Sequence, residues 1–403
     1  MNGSSKYIAA VFLLFVLIFS SSYAQKKNKS QLEKEKKESI RKIKEAEKIL
    51  SQTSSKKKHS IGELYAIQQQ IKQMENLVGS IKGELTYINS DIWDTNEIIN
   101  ALGDDLEQLK SEYATMVYNT YKTTRGQTKL TFLFSSSTFN QFMMRLKYME
   151  QYGSARRKQT EQINKVKEVL SGQITRLEKQ KVEKNILLKE QLAESKKLKE
   201  LKSKQNNVIN SLASREKEIT NQIEINKKSI ARLNTLINEI IKAEIAKSTK
   251  TKNSTALKMT PEATKLAESF ASNKGKLPWP VETGFVTKGY GKQQHPVWKH
   301  VVTENEGIDI QTNSSQEVRS VFDGEVTKVA HIPGLGKMVI IRHGDYFTVY
   351  SKLKDIFVQT GQKVNTKGSL GIVLTDNEGV SEVKFSVWKN TQKMNPKFWL
   401  YPR

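Results

Sequence analysis

The stretch Asn305-Glu306-Gly307-Ile308-Asp309-Ile310 decides how this chain is read, together with Tyr350-Ser351-Lys352-Leu353 and Glu382-Val383-Lys384-Phe385-Ser386-Val387-Trp388. All three read as strands, with apolar and polar residues interleaved as on a half-buried sheet. They belong to a glycine-rich region that opens at Leu277-Pro278-Trp279-Pro280 and contains further short strands, Gly324–Val329, Met338–Arg342 and Phe347–Tyr350. Residues 276–403 therefore predict an all-β unit of about 125 residues, enough to bury a core.

The three segments resemble the signatures of the LytM/lysostaphin-type zinc endopeptidases, which cut peptidoglycan cross-bridges. That family reads His-x-Gly-x-Asp in the first, Tyr-x-His-Leu in the second and His-x-His-Phe-Glu in the third. Val318, Gly324, Gly336, His343-Gly344, Gly361, Val364, Gly368, Gly371 and Asn395-Pro396 also fall where its turns and strands want them. By that resemblance the fold is LytM/lysostaphin-like, a duplicated hybrid motif. Asp309 stands at a metal-ligand position, while Asn305 and Lys384 replace the other two ligands. Lys352 and Glu382 replace the two proton-handling histidines.

Those replacements bear on chemistry. A catalytic zinc takes three protein ligands and keeps one position open for the water it acidifies. Asparagine is a poor ligand, and a lysine brings positive charge to the place of a dication. The expectation is a peptidase fold without catalysis, cofactor or metal, whose emptied site is filled by two ion pairs, Asp309 with Lys384 and Lys352 with Glu382. Leaving Asp309 buried and unpaired would be costly. His343, at a strand end, reads as structural. A rescued metal site from Asp309, His295 and His300 is the minor alternative.

Outward from this unit, residues 25–250 read as a helical arm. From about Lys26 to Lys250 there is no proline, and Leu64, Ile67, Ile71, Met74, Val78, Ile81, Leu85, Ile88 and Ile92 recur in steps of three and four. That is a heptad seam. A second series runs from Ile163 to Ile240, and the break between them predicts a long antiparallel coiled-coil hairpin reaching about 100 to 130 Å. A small helical tip is expected near 123–158. Its aromatic and methionine residues read either as core packing or as a grip for a partner. Residues 130–158 resemble the corresponding part of EnvC-type murein hydrolase activators.

Residues 251–275 read as a linker. Thr260-Pro261-Glu262 is a helix start, and residues 260–273 place Leu266 and Phe270 side by side. In EnvC-type activators a helix here covers the groove of the degenerate domain. The expectation is a regulatory helix, with an ordinary packed connector as the alternative.

Residues 1–24 read as a secretory signal, with Lys6, an apolar run Ile8–Phe19 and Ser22-Tyr23-Ala24 before Gln25; uncleaved anchoring is the alternative. Export across the inner membrane to the periplasm or cell envelope follows. The chain has no cysteine, which excludes disulfides and metal–thiolate sites. The formal net charge of +24 is spread along the helices without a nucleic-acid motif, so no nucleic-acid partner is expected.

By resemblance, the whole looks like an EnvC-type activator of peptidoglycan amidases, which are zinc N-acetylmuramoyl-L-alanine amidases. The resemblance implies an FtsEX-like membrane complex on the coiled coil and an amidase in the groove lined by Asn305, Asp309, Lys352, Glu382 and Lys384. Trp298 and Trp388 are expected either as rim anchors or as core. An active zinc endopeptidase, or a module that binds peptidoglycan without activating anything, stays open.

Overall fold

The computed structural model of the chain describes residues 29–53, 59–124, 128–249 and 259–403, so the expected secretory segment lies outside the described residues. The helices are α1 (Lys29–Thr53), α2 (Ile61–Thr124), α3 (Lys129–Phe134), α4 (Phe139–Ala213), α5 (Glu216–Thr249) and α6 (Pro261–Ser272). The strands follow as β1 (Phe285–Lys288), β2 (Gly291–Gln294), β3 (Val302–Asn305), β4 (Ile308–Gln311), β5 (Glu317–Arg319) and β6 (Gly324–Ile332). Then come β7 (Gly336–His343), β8 (Tyr346–Ile356), β9 (Lys363–Val364), β10 (Ser369–Val373), β11 (Glu382–Lys389) and β12 (Gln392–Met394). A long helical region thus precedes an all-β antiparallel domain, as the sequence predicts. Among the described residues no helix is long and apolar enough to cross a membrane.

The described residues divide into two compact units, one up to Lys36 together with Val78–Glu194, the other Lys37–Leu77 with Ser195–Arg403. In the first unit α2 and α4 run antiparallel. Arg156 Nε donates to Tyr113 Oη at 2.9 Å, and Arg176 Nη2 meets Asp91 Oδ1 at 2.8 Å, so position rises along one helix as it falls along the other. Helix α1 is an addition that the heptads do not announce. It lies parallel to α4, with Lys29 to Glu183 and Lys36 to Glu190 both at 2.6 Å. Such partly exposed pairs contribute little each. Leu85, Ile88, Leu106, Leu177 and Leu187 are buried along the helices and carry the packing.

In the second unit the main sheet runs β1-β4-β11-β8-β7-β6-β9, with β10 on β8 and β5, and β12 on β11; β2 and β3 form a separate ribbon. Alternation along each strand splits the residues between two cores. Ile308, Ile310, Val339, Ile341, Val383, Phe385 and Val387 join one core, in which Phe270 of α6 is buried. Met338, Ile340, Phe347, Val349 and Trp388 face the other way, where Leu233, Ile237, Ile241 and Ile245 of α5 cover them.

Helix α6 starts as expected: Thr260 Oγ1 accepts from Ala263 N at 3.2 Å, and Pro261 takes the first turn. Its inward face is Ala267 and Phe270, while Leu266 is half-buried. Phe270 stacks on His343 at 4.8 Å and meets Tyr346 and Trp399 at 5.0 and 4.9 Å.

His343 is fully buried, with Nδ1 donating to Asp323 O at 2.6 Å and Nε2 accepting from Thr348 Oγ1 at 2.8 Å. Burial pushes its pKa down to about 4, against smaller opposing effects of Asp323. The unfolded imidazole binds its proton from about pH 6.5 downward and the folded one only near pH 4, so protons favour unfolding in between. Unfolding free energy is therefore expected to fall by about 3 kcal/mol between those pH values. The His343→Gln variant should show a flatter urea-unfolding profile over the same window; an unchanged slope would refute this assignment.

Candidate functional site

Four neighbouring strands deliver the charged cluster. Asp309 on β4 lies between Lys288 at the end of β1 and Lys384 on β11 in the sheet register. Lys384 in turn faces Ser351 on β8, next to Lys352. Glu382 and Lys384, two residues apart, share a face. Asn305 ends β3 and is brought over Lys384 by the link through Gly307. A Cβ on Gly307 would stand 2.4 Å from the carbonyl oxygen of Phe385, so only glycine allows that approach.

The five predicted residues Asn305, Asp309, Lys352, Glu382 and Lys384 come together. Lys384 Nζ bonds Asn305 Oδ1 closely and lies 3.4 Å from Asp309 Oδ1. Asn305 Nδ2 donates to the same Asp309 oxygen at 3.3 Å. Lys352 Nζ pairs tightly with Glu382 and reaches Asp309 Oδ2 at 3.5 Å. Both expected ion pairs form, and the second lysine joins them into one network around Asp309. Lys352 has φ +64, and this left-handed kink at a break in the strand register turns it toward the cluster.

Side chains of Asp309 and Lys384 are 4% and 5% exposed, which makes their charges matter. Burial alone would raise the Asp309 carboxyl, but Lys352, Lys384 and Lys288 together hold it well below the usual carboxylate range. The two lysines shift oppositely. Burial works against the Lys352 ammonium, yet Asp309 and Glu382 more than offset it and its pKa rises. For Lys384, burial dominates and Lys352 and Lys288 repel it, so its pKa falls despite Asp309.

The donors do not suit a zinc ion. Lys384 Nζ, at a position the resemblance gives to a ligand, is bonded to the other two residues of that set, one of them a neutral amide. Nor does the alternative set assemble. His300 is exposed, with Nε2 3.3 Å from Glu216. His295 stacks on Trp298 at 4.6 Å, its Nδ1 facing the backbone amides of Val297 and Trp298. Burial first, and Lys288 second, push His295 down to about 4.

The tryptophans are not open rim anchors. Trp388 is fully buried under α5, its Nε1 donating to Ser386 Oγ at 3.1 Å. Trp298 is buried against the base of the arm, in one core with Ile49, Leu50, Leu64, Ile67 and Phe285.

The expected covering helix, with Leu266 and Phe270, lies elsewhere. Phe270 sits in the core of Ile308 and Ile310, and alternation turns Asp309 to the opposite face. Tyr346, which Phe270 touches, is also six residues along β8 from Lys352, about 20 Å. In this structure α6 is a packed connector.

What borders the cluster instead is the end of α1 and the start of α2. Gln311 Nε2 donates to Thr53 Oγ1 at 3.3 Å, and Ser314 N to Gln52 Oε1 at 2.9 Å. Gly62 lies against Val380. Tyr65 is half-buried, and burial, followed by the negative charges of Glu382 and Asp309, pushes its phenol up to about 12. Tyr65 and Lys288 have no signal in the sequence, because only long-range packing brings them to Asp309.

Residues 303–396 match Peptidase family M23. The chain is 31% identical over 113 residues to the cell division protein DipM of Caulobacter vibrioides, covering 27% of this chain and 17% of that protein. It is 26% identical over 137 residues to an uncharacterized protein of Neisseria meningitidis serogroup B, covering 33% of this chain and 22% of that one. The chain thus spans less than a quarter of the length of either relative. Among solved structures, a zinc-containing peptidase from Vibrio cholerae is 27% identical with a TM-score of 0.28, covering 32% of this chain and 41% of that one. A putative peptidase M23 from Pseudomonas aeruginosa is 22% identical with a TM-score of 0.26, covering 34% and 62%.

Proposed function

We propose that this chain, through its C-terminal M23-type domain, is a non-catalytic activator of peptidoglycan amidases in cell-wall remodelling and daughter-cell separation. The observation that carries the reading is the Lys384 ammonium bonded to Asn305 and Asp309, which leaves no open coordination position for a hydrolytic water. The likeness to a cell division protein over 113 residues supports the setting. On this reading the partner is a zinc N-acetylmuramoyl-L-alanine amidase bound at the groove beside Asp309. The chain acts in the periplasm or envelope, and an FtsEX-like membrane complex moves the arm.

The end of α1 and the start of α2 then act as the cover. They pack at β1, at the end of β4 and at Val380, so an amidase that needs this surface binds better once they lift. A partner shifts such an equilibrium only through its differential affinity for the two states.

Labelled sacculi test the reading. The purified chain alone is expected to release nothing, and to increase release several-fold when a cognate amidase is added. Stoichiometric zinc with muropeptide cleavage by the chain alone would overturn it in favour of an endopeptidase. Sacculus binding without amidase stimulation would overturn it in favour of a wall-binding module.

A further inference from the structure

The tip of the first unit has a surface chemistry unlike the rest of the chain. From Tyr118 to Met149 there are five Lys or Arg and no Asp or Glu, whereas the remaining residues carry 61 against 42. The same segment displays large apolar side chains to solvent: Leu130, Phe134, Phe139 and Met144 are 65%, 73%, 79% and 68% exposed, and Tyr118 and Tyr148 are 64% and 60% exposed.

These rings are held in place. Arg145 Nη1 donates to Phe132 O at 2.6 Å and to Ser135 Oγ at 2.8 Å, and its guanidinium lies 4.9 Å from the Phe132 ring centroid, pinning α3 to α4. Half-buried Phe142 supports Phe134 at 5.9 Å and Phe139 at 6.5 Å. The outer two rings therefore form a fixed apolar ridge instead of collapsing onto the helices. Lys122, Lys129 and Lys147 of the same segment are exposed. Helix rise places Phe139 to Met149 within about 15 Å along the axis, roughly the depth of a headgroup region with the outer acyl layer.

We propose that this tip docks on an anionic phospholipid bilayer, the ridge of Phe134 and Phe139 and the exposed Leu130 and Met144 entering the interface and the lysines lying at the headgroup phosphates. Apolar rings flanked by basic residues are what a lipid interface selects, and anionic lipid attracts each nearby cation. The absence of acid over 32 consecutive residues supplies the charge complementarity. A bilayer needs no pocket on the protein, whereas a protein partner would require shape matching as well. The proposal does not rest on the amidase reading.

Flotation of the full chain, lacking only residues 1–24, with vesicles tests it. Binding is expected to vesicles of phosphatidylglycerol and phosphatidylethanolamine and not to phosphatidylcholine, falling at least tenfold as salt rises from about 0.05 to about 0.5 M. Phe134→Ser with Phe139→Ser should reduce partitioning at least tenfold. Lys129→Gln with Lys147→Gln should weaken binding to the anionic vesicles several-fold and flatten the salt dependence. All four sites are exposed, so helix content by circular dichroism should be unchanged in both variants. Failure of the parent chain to float, or equal flotation of the ring variant, overturns the proposal. Loss of a protein partner in the ring variant without vesicle binding by the parent would reassign the ridge to that partner.

Discussion

Lys384→Met should lower the unfolding free energy of the C-terminal unit by about 3 to 5 kcal/mol, the usual cost of stranding one partner of a buried ion pair. Asp309 is 3% exposed, and after the substitution it would keep only the longer contact from Lys352 at 3.5 Å and the amide of Asn305. A methionine of similar length fills the space without supplying charge. The companion Asp309→Leu with Lys384→Met should be closer to the parent than the single variant, because it removes both charges together. The pH dependence has a definite sign. Asp309 titrates below its unfolded value, so its contribution is present above about pH 4 and is lost as pH falls further. The gap between parent and single variant should narrow there. Urea unfolding at neutral pH decides the matter: a single variant within about 0.5 kcal/mol of the parent would show that the lysine is not holding the site together.

Gly62→Leu should raise amidase stimulation by the full chain about tenfold. A Cβ at Gly62 would stand 2.4 Å from Val380 Cγ2, and a leucine needs more room still. Overpacking of this kind costs about 1 to 3 kcal/mol, and each 1.4 kcal/mol is a factor of ten in population. The strain is relieved when the start of α2 lifts from the loop before β11, so it favours the uncovered state. Gly79→Leu on the same helix is the control, since nothing lies within 4 Å of a Cβ there. Phe270→Ala should instead destabilise the domain by about 3 to 5 kcal/mol without raising stimulation at temperatures where it stays folded, because α6 is core. Stronger stimulation by Phe270→Ala than by Gly62→Leu would return the role of cover to residues 260–273.

Much of this was readable from residue patterns. The heptad seam gives the antiparallel pair α2 and α4, and the cap at Thr260 gives α6, whereas the charged cluster with both ion pairs is legible only through the resemblance of the three strand segments to the LytM-type signatures. The seam and the cap are short-range regularities, while the cluster joins residues 75 and 30 positions apart. What stays hidden depends on contacts distant in sequence. Leu266–Phe270 and Ala267–Phe270 are both allowed spacings on a helix, at four and three residues. The second faces the core because Gly344, lacking a Cβ, admits Ala267 closely. The parallel course of α1 is equally invisible, since its lysines look like any solvated helix face until Glu183 and Glu190 are placed beside them. Trp388 has nothing in its own strand to say that α5 covers it.

Lys352 sits at φ +64, where a residue with a side chain pays about 1 to 2 kcal/mol that glycine would not. Its ammonium meets both Glu382 and Asp309, and the attraction of two carboxylates offsets the cost of the bend. Lys352→Gly would relieve the bend yet leave both carboxylates short of an ammonium, exchanging a comfortable backbone for unbalanced charge.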